Sequence, residues 1–468
     1  QAATSMSTTN MSQREHSIDN PQAQSKLSRE EILATLERED VKFLRLIFTD
    51  IMGTSKNVEL PAIQFEKALD GQIMFDGSSI EGFVRIEESD MILVPDYDSF
   101  RIYPWDEEGQ GKVARLICDV HNSDGSAFQG CPRSTLKTQI ARASELGYTM
   151  MAGVEAEFFL FHLDDDGRPT TKTNDHAGYF DLAPLDGGEP CRRAIVNALN
   201  ELGFDVEAAH HEVAAGQHEI DFRYSDALSI ADMLTTFRFV VRKIARDWGY
   251  HATFMPKPVY GINGSGMHCH QSLFDQDGKN VFYGADDEFQ LSPRALNYIG
   301  GLLKHAKGLC ALTNPIVNSY KRLVPGYQAP THIAWSEKNR SPLCRIPARR
   351  GVGTRIELRM PDPSCNPYLA LAGMLAAGLD GIQNETPAPD PVNKNLYKMS
   401  QRERARHKVD SLPANLDEAV TALEKDKVLK EALGDHLFEN FVRAKRAEWS
   451  EYIAQVSDWE IENYLSTY

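Results

Sequence analysis

Val154-Glu155-Ala156-Glu157-Phe158-Phe159-Leu160 reads as a β-strand, because β-branched and aromatic residues dominate it and successive side chains leave opposite faces. Glu155 and Glu157 then share one face, with Cα atoms about 6.5–7 Å apart, while Val154, Ala156 and Phe158 cover the other. Two carboxylates so spaced are either solvated or each hold a cation. Ligands from elsewhere in the chain decide between the two.

Residues 134–146, closed by Gly147, read as the helix that leads into this strand. Before it, Ser28-x-x-Glu31 is a capping box for a short helix, and 41–48 is a strand with Asp50 at its turn. Pro61 opens a helix to Leu69, 74–83 is an Asp-Gly-Ser-Ser loop, and 112–120 is a further strand. The expectation is a small α+β domain over 26–125, a boundary in the loop 122–132 and a larger domain over 126–468. Residues 1–25 are polar and are expected to be a disordered tail or a cloning remnant. Downstream come a helix ending at Gly203, a hairpin around Ala214-Ala215-Gly216 and a long helix over 226–248. Segments 266–274, 331–335, 342–346 and 354–360 read as strands, 293–311 and 367–382 as helices, and the last fifty residues as helical.

The 468 residues exceed the roughly 250–300 at which a single core stops growing. A net charge of −17 without a dense Lys/Arg block argues against nucleic acid or an anionic membrane surface as partner. The seven cysteines are odd in number and never spaced as C-x-x-C, which suits a reducing cytosol. No run of eighteen apolar residues occurs. These features lead us to expect a soluble, cytoplasmic protein that binds small ligands.

Three further stretches carry chemistry. If Gly216 lies in the hairpin turn, Glu212 and Glu219 fall opposite each other, about 5 Å apart, which is unfavourable without a cation. In Asn263-Gly264-Ser265-Gly266-Met267-His268-Cys269-His270-Gln271-Ser272, a Gly-rich turn enters a strand that presents His268, His270 and Ser272 on one face. In Arg355-Ile356-Glu357-Leu358-Arg359, the two arginines flank Glu357 on one face. Arg322, Arg340, Arg345, Arg349 and Arg350 precede it, and guanidinium forks suit carboxylate and phosphate oxygens. Neither dinucleotide nor P-loop glycine motif occurs, so phosphate binding falls to side chains and metal. Glu155, Glu157, Glu212, Glu219, Glu357 and His268 give five hard oxygen donors and one imidazole, a set that favours Mg²⁺ or Mn²⁺ over zinc. Paired divalent cations with arginines are what phosphoryl transfer requires.

With Met74-Phe75-Asp76-Gly77-Ser78-Ser79-Ile80, His210-His211-Glu212-Val213-Ala214, Asn318-Ser319-Tyr320-Lys321-Arg322-Leu323-Val324-Pro325-Gly326-Tyr327 and Asn366-Pro367-Tyr368-Leu369-Ala370, these motifs resemble bacterial type I glutamine synthetase from about Leu27 to Tyr468. The resemblance implies an α+β fold: a small N-terminal β-grasp-like domain, then a large catalytic α/β domain on a curved, mainly antiparallel sheet. It implies ATP-dependent ligation of ammonia to the γ-carboxylate of L-glutamate through γ-glutamyl phosphate, with two or more Mg²⁺ or Mn²⁺ ions. By motif position, Glu157, Glu212 and Glu219 would hold one cation, and Glu155, His268 and Glu357 the one bridging the ATP phosphates. Asn263 and Gly264 would hold the α-amino side of glutamate, and Arg322 and Arg359 its carboxylates. Arg340 and Arg345 would meet phosphate oxygens, while Glu207, His270, Ser272 and Arg355 would line the nucleotide site. Asp50, from a neighbouring subunit, and Tyr179 would form the ammonium pocket. A dodecamer of two hexameric rings is implied, with a nitrogen-regulatory transcription factor as a further partner.

The segment Phe83-Val84-Arg85-Ile86-Glu87-Glu88-Ser89-Asp90 is similar to the glutamine-sensing segment of the Gram-positive alpha subtype, where Arg85 would serve feedback inhibition. Tyr397 does not stand in an adenylylation motif. Gln328, in Pro325-Gly326-Tyr327-Gln328-Ala329-Pro330, departs from the family's glutamate, which takes a proton from ammonium. That departure opens two alternatives, impaired ammonium deprotonation or a γ-glutamyl ligase for a larger amine. A catalytically dead relative is the third reading, against which the intact metal positions count.

Overall fold

The computed structural model describes residues 26–80, 82, 89–106 and 109–468. Arg85 and the expected tail over 1–25 lie outside the described residues.

Alternating apolar residues build the first sheet from β1 (Val41–Thr49), β2 (Ser55–Pro61), β3 (Ile73–Asp76), β4 (Asp90–Asp106) and β5 (Lys112–Asn122), in the order β2-β1-β5-β4-β3. β1 runs parallel to β5 and the other pairs are antiparallel. The helices α1 (Arg29–Arg38), with its capping box at Ser28 and Glu31, and α2 (Phe65–Leu69) accompany it. The expected loop over 74–83 thus begins as an edge strand, turning where Asp76 Oδ1 accepts Ser78 N at 2.9 Å.

α3 (Pro132–Glu145) leads into β6 (Thr149–Leu163), the strand that carries Glu155 and Glu157. β7 (Pro169–Thr173), β8 (Val206–His211), β9 (Gln217–Phe222), β10 (Ser225–Asp226), β11 (Tyr250–Thr253) and β12 (Met267–Phe274) follow, and β6 pairs with all of these except β8, which pairs with β9. Past β13 (His332–Ile333), the sheet continues through β14 (Trp335–Ser336), β15 (Cys344–Arg345) and β16 (Ile356–Leu358), while β13 pairs with β17 (Asp410–Ser411). Every pair in this ten-stranded sheet is antiparallel except β14 with β15. The strands expected over 331–335, 342–346 and 354–360 are shorter than their apolar runs, and backbone hydrogen bonds such as Cys344 N to Ala334 O and Arg359 N to Leu343 O continue the contacts at their ends.

A helical layer covers the sheet: α4 (Glu189–Glu201), α5 (Ala227–Asp247), α6 (Pro293–Lys304), α7 (Ala306–Thr313), the short α8 (Ser319–Arg322) and α9 (Pro367–Gln383). α9 is buried from Pro367 to Gly381 and packs on α3, α5, α6 and α7. It crosses α6 where a Cβ on Gly301 would stand 2.2 Å from Ala377 O, so only glycine admits this approach. The helix expected over 293–311 breaks at His305, whose ring lies 2.6 Å from Asp426 Oδ2 and 2.7 Å from Asp380 Oδ2. The chain closes with α10 (Gln401–Arg406), α11 (Leu416–Lys425), α12 (Lys427–Leu433), α13 (Asp435–Ile453) and α14 (Asp458–Tyr464). None of the described helices is long and apolar enough to cross a membrane. All seven cysteines are free and buried.

Arg133, buried at the start of α3, joins the first sheet to the helical layer. Its guanidinium lies 2.6 Å from Asp96 Oδ2 on β4, 2.9 Å from Asp119 Oδ1 on β5 and 2.9 Å from Asp232 Oδ2 on α5. Asn366, the cap of α9, makes a second junction, donating to Asp50 O at 3.1 Å and Ile51 O at 3.2 Å.

Candidate active site

Strand register assembles the site. On β6, Glu155 faces His268 of β12 on one side and Asp221 of β9 on the other, and Glu157 faces Glu219. β12 in turn pairs His270 with Glu357 of β16. Period-2 alternation therefore brings side chains from four adjacent strands onto one floor.

The floor has two halves of different electrostatic character. In the first, Glu155, His268 and Glu357 converge, with ligand atoms within 4.8 Å of one another. Glu155 Oε2 lies 3.1 Å from His268 Nδ1, and Oε1 lies 2.8 Å from His270 Nε2. Glu357 accepts Arg359 Nη1 at 2.6 Å and Arg345 Nε at 2.6 Å. Burial raises both carboxyls, but the histidines at Glu155, and His268, Arg359, His270 and Arg345 at Glu357, outweigh it and hold them below the ordinary range.

In the second half, ligand atoms of His210, Glu212 and Glu219 lie within 4.8 Å of one another. Glu157 is tied beside them, accepting Gly266 N at 2.8 Å and Gln217 Nε2 at 3.3 Å. Burial first, then Glu212 and Glu219, push the Glu157 carboxyl well above its usual range. Burial also raises Glu212, and burial with Asp221 and Glu212 raises Glu219. Buried like charges with so little compensation are the setting that a cation relieves. All-oxygen donors plus an imidazole fit a hard divalent ion.

The hairpin register differs from the expected one. Glu219 faces His210, and Glu212 N donates to Gln217 O at 2.8 Å, so Glu212 and Glu219 are diagonal rather than opposite. The loop closes over 213–216, with Gly216 at its last position and φ of +68°. The difference amounts to two residues of pairing, which leaves each side chain on its expected face, and the carboxylates still meet.

Beside the first half, a cleft of about 240 Å³ is lined by Glu207, Asp221, His270, Ser272, Arg349 and Arg355, among others. Arg355 Nε donates to His270 Nδ1 at 3.0 Å, so His270 carries its proton on the nitrogen that faces Glu155. Asp221 escaped the sequence reading although it follows Glu219 by two residues on the same face; burial, with Glu155 adding to it, pushes its carboxyl up to about 6. Gln217, two residues before Glu219, was missed for the same reason; its Nε2 also donates to Gly264 O at 2.9 Å.

The remaining expected residues are spread around this floor. Arg322 is buried and donates to Met360 O at 2.6 Å and Arg359 O at 3.1 Å, directly against Gly266. Asn263 is half-buried in the turn before β12. Tyr179 is exposed, stacks on Phe180 at 4.0 Å and meets the His210 ring edge-on. Arg340 is exposed and acts electrostatically on the Tyr179 phenol. Gln328 is exposed with φ of +61°, between Tyr327, whose ring lies 3.6 Å from Lys257 Nζ, and Ala329, whose carbonyl accepts the Tyr397 hydroxyl. Asp50 lies in the turn after β1, its Oδ1 accepting Thr54 N at 2.8 Å.

A small mixed sheet joined to a large antiparallel one with a carboxylate-lined floor defines an α+β enzyme core. The description "Glutamine synthetase, catalytic domain" matches residues 129–464, and "Glutamine synthetase, beta-Grasp domain" matches 40–123. The chain is 61% identical over 441 residues to a glutamine synthetase of Thermus thermophilus, covering 94% of this chain and 99% of that one. It is 55% identical over 442 residues to one of Staphylococcus epidermidis, with 94% and 99% covered. Among solved structures, a GmaS/ADP complex is similar at a TM-score of 0.84 and 35% identity, covering 93% of this chain and 99% of that one. A Plasmodium falciparum glutamine synthetase gives 0.82 at 26% identity, with 94% and 99% covered. The chain belongs to the glutamine synthetase family.

Proposed function

We infer that the chain works as its family does. It is a glutamate–ammonia ligase: a γ-carboxylate oxygen of L-glutamate attacks the γ-phosphorus of ATP with loss of ADP, and ammonia then displaces phosphate from the γ-carbonyl to give glutamine. The observation that carries the reading is the two-part floor, with Glu155, His268 and Glu357 in one half and Glu212 and Glu219 in the other. Glu157, beside the second half, completes its ligand set.

Divalent cations, Mg²⁺ or Mn²⁺, would neutralise charge on the transferred phosphoryl group when held by these residues. Arg345 and Arg359, already aimed at Glu357, stand ready to meet anionic oxygens, and Arg340 adds a further positive charge. The cleft with Glu207, His270, Ser272 and Arg355 suits the nucleotide. Arg322, Asn263 and Gly264 lie where the turn before β12 meets α8, which suits glutamate. Tyr179 and Asp50 serve ammonium, with Asp50 supplied by a neighbouring subunit in a dodecamer of two hexameric rings. Arg85 serves glutamine feedback. The enzyme acts in the cytoplasm, with a nitrogen-regulatory transcription factor as a partner, and its domains divide near residue 125.

Phosphate release with ATP, glutamate and, in turn, ammonia, ethanolamine and putrescine tests the reading. Release with ammonia above the others supports it, and release confined to a larger amine overturns it.

A further inference from the structure

Behind the Glu212–Glu219 hairpin, the loop 174–188 carries a buried polar network that stands outside the carboxylate floor itself. Asp175 Oδ1 accepts Gly216 N at 2.8 Å and Ala177 N at 3.2 Å, and Oδ2 accepts Gly187 N at 3.0 Å. The His211 ring completes the set, with Nε2 3.0 and 3.1 Å from the two Asp175 oxygens and Nδ1 2.6 Å from Glu212 O. One carboxylate thus grips the hairpin at both ends of its loop, at Gly216 directly and at Glu212 through a single imidazole. The loop itself is laid on the hairpin where Phe180 N donates to His211 O at 3.1 Å, so Tyr179 is carried by the same unit.

Asp175, Asp186, His211 and His218 are residue types that ligate metals, and their ligand atoms lie within 4.8 Å of one another. A guanidinium already serves the cluster: Arg192 Nη2 lies 2.8 Å from Asp186 Oδ2 and Nη1 2.8 Å from His218 Nδ1. With the positive charge supplied by Arg192, the network's remaining office is to hold backbone.

We propose that Asp175 is a positioning residue which, through Gly216 and His211, fixes the separation and aim of Glu212 and Glu219 and thereby sets the cation affinity of that half of the floor. The proposal rests on the cation-site reading given above. Groups that orient metal ligands from behind typically contribute 10–100-fold in affinity.

The test is Mn²⁺ binding to the full-length protein, followed by electron paramagnetic resonance, without substrate or turnover. Glu212→Gln and Glu357→Gln first identify which class of bound ion belongs to which half. In Asp175→Asn we expect the class lost in Glu212→Gln to weaken by about 10–100-fold, while the class lost in Glu357→Gln is unchanged. His211→Gln, which cuts only the arm to the Glu212 carbonyl, shifts the same class in the same direction and serves if Asp175→Asn does not fold. His305→Gln, which removes a buried ion pair in the distant helical layer, leaves both classes alone. Equal weakening of both classes, no weakening, or the same selective loss in His305→Gln overturns the proposal alone. Failure of the wild-type protein to show two classes separable by the glutamate variants overturns the cation-site reading and the proposal with it.

Discussion

Glu357 Oε1 lies 2.6 Å from Nη1 of Arg359, two residues on in sequence, and 3.4 Å from His268 Nδ1. A fully buried carboxylate is thus shared between a guanidinium and an imidazole, with Arg345 on its other oxygen. Glu357→Ala leaves two arginines without their counter-charge and removes a donor from one half of the floor. Phosphate release should fall by roughly 10³-fold or more, since such charge stabilisation is worth several kcal/mol of barrier. Circular dichroism and light scattering should show the fold and assembly retained; near-normal turnover would show that Glu357 has no part in phosphoryl transfer.

Gln328 offers a carbonyl and an amide where a carboxylate would accept a proton. Gln328→Glu is expected to raise kcat at saturating glutamate and ATP, within the 10²–10⁴-fold that a general base typically contributes. Turnover measured against ammonium concentration checks this, and an unchanged kcat removes proton transfer from this position's role.

Arg133, itself buried, meets three aspartates from three elements, of which Asp96 stands nearest to solvent. Removing it leaves Asp96, Asp119 and Asp232 facing one another, with Lys137 remaining only at Asp119. Arg133→Ala should cost about 3–5 kcal/mol, as loss of one partner of a buried ion pair does. Urea unfolding of variant and parent would measure it; a shift below about 1 kcal/mol would mean that water reaches the junction.

His305 sits between two carboxylates, those of Asp380 and Asp426. Burial lowers the imidazole pKa, but hydrogen bonds to Asp426 and Asp380 outweigh it, so the folded value is raised. A raised folded value stabilises fully below the unfolded value of about 6.5, and that contribution is lost as pH climbs through the folded one. Unfolding temperature should therefore decline as pH rises from about 6.5 through the folded value, and His305→Gln should flatten that part of the profile. A parallel profile in the variant would contradict the assignment.

Alternation made most of the site legible: once β6 is a strand, Glu155 and Glu157 must share a face, and the same logic applied to β12 yields His268 and His270. Applied one step further along β9, it would have yielded Gln217 and Asp221. Register was harder, because turn geometry and not composition fixes it; placing Gly216 at the end of the loop and not within its middle moves every partner by two residues. β4 was missed because Pro95, Pro104 and its acidic residues interrupt the apolar pattern, although the strand runs over seventeen residues. The break at His305 was invisible for the opposite reason: apolar periodicity runs straight through it, and only the tertiary partners Asp380 and Asp426 show why the chain turns there.

The seven cysteines have a consequence of their own. Burial raises every one of these thiols above its ordinary value, that of Cys191 to about 12, so thiolate is scarce in the folded chain. They are distributed over both sheets and the helical layer, from Cys118 on β5 to Cys269 on β12 and Cys310 on α7. A thiol-reactive dye should ignore the native protein and stain whichever part opens first, so the chain carries, at seven mapped positions, its own record of where it comes apart.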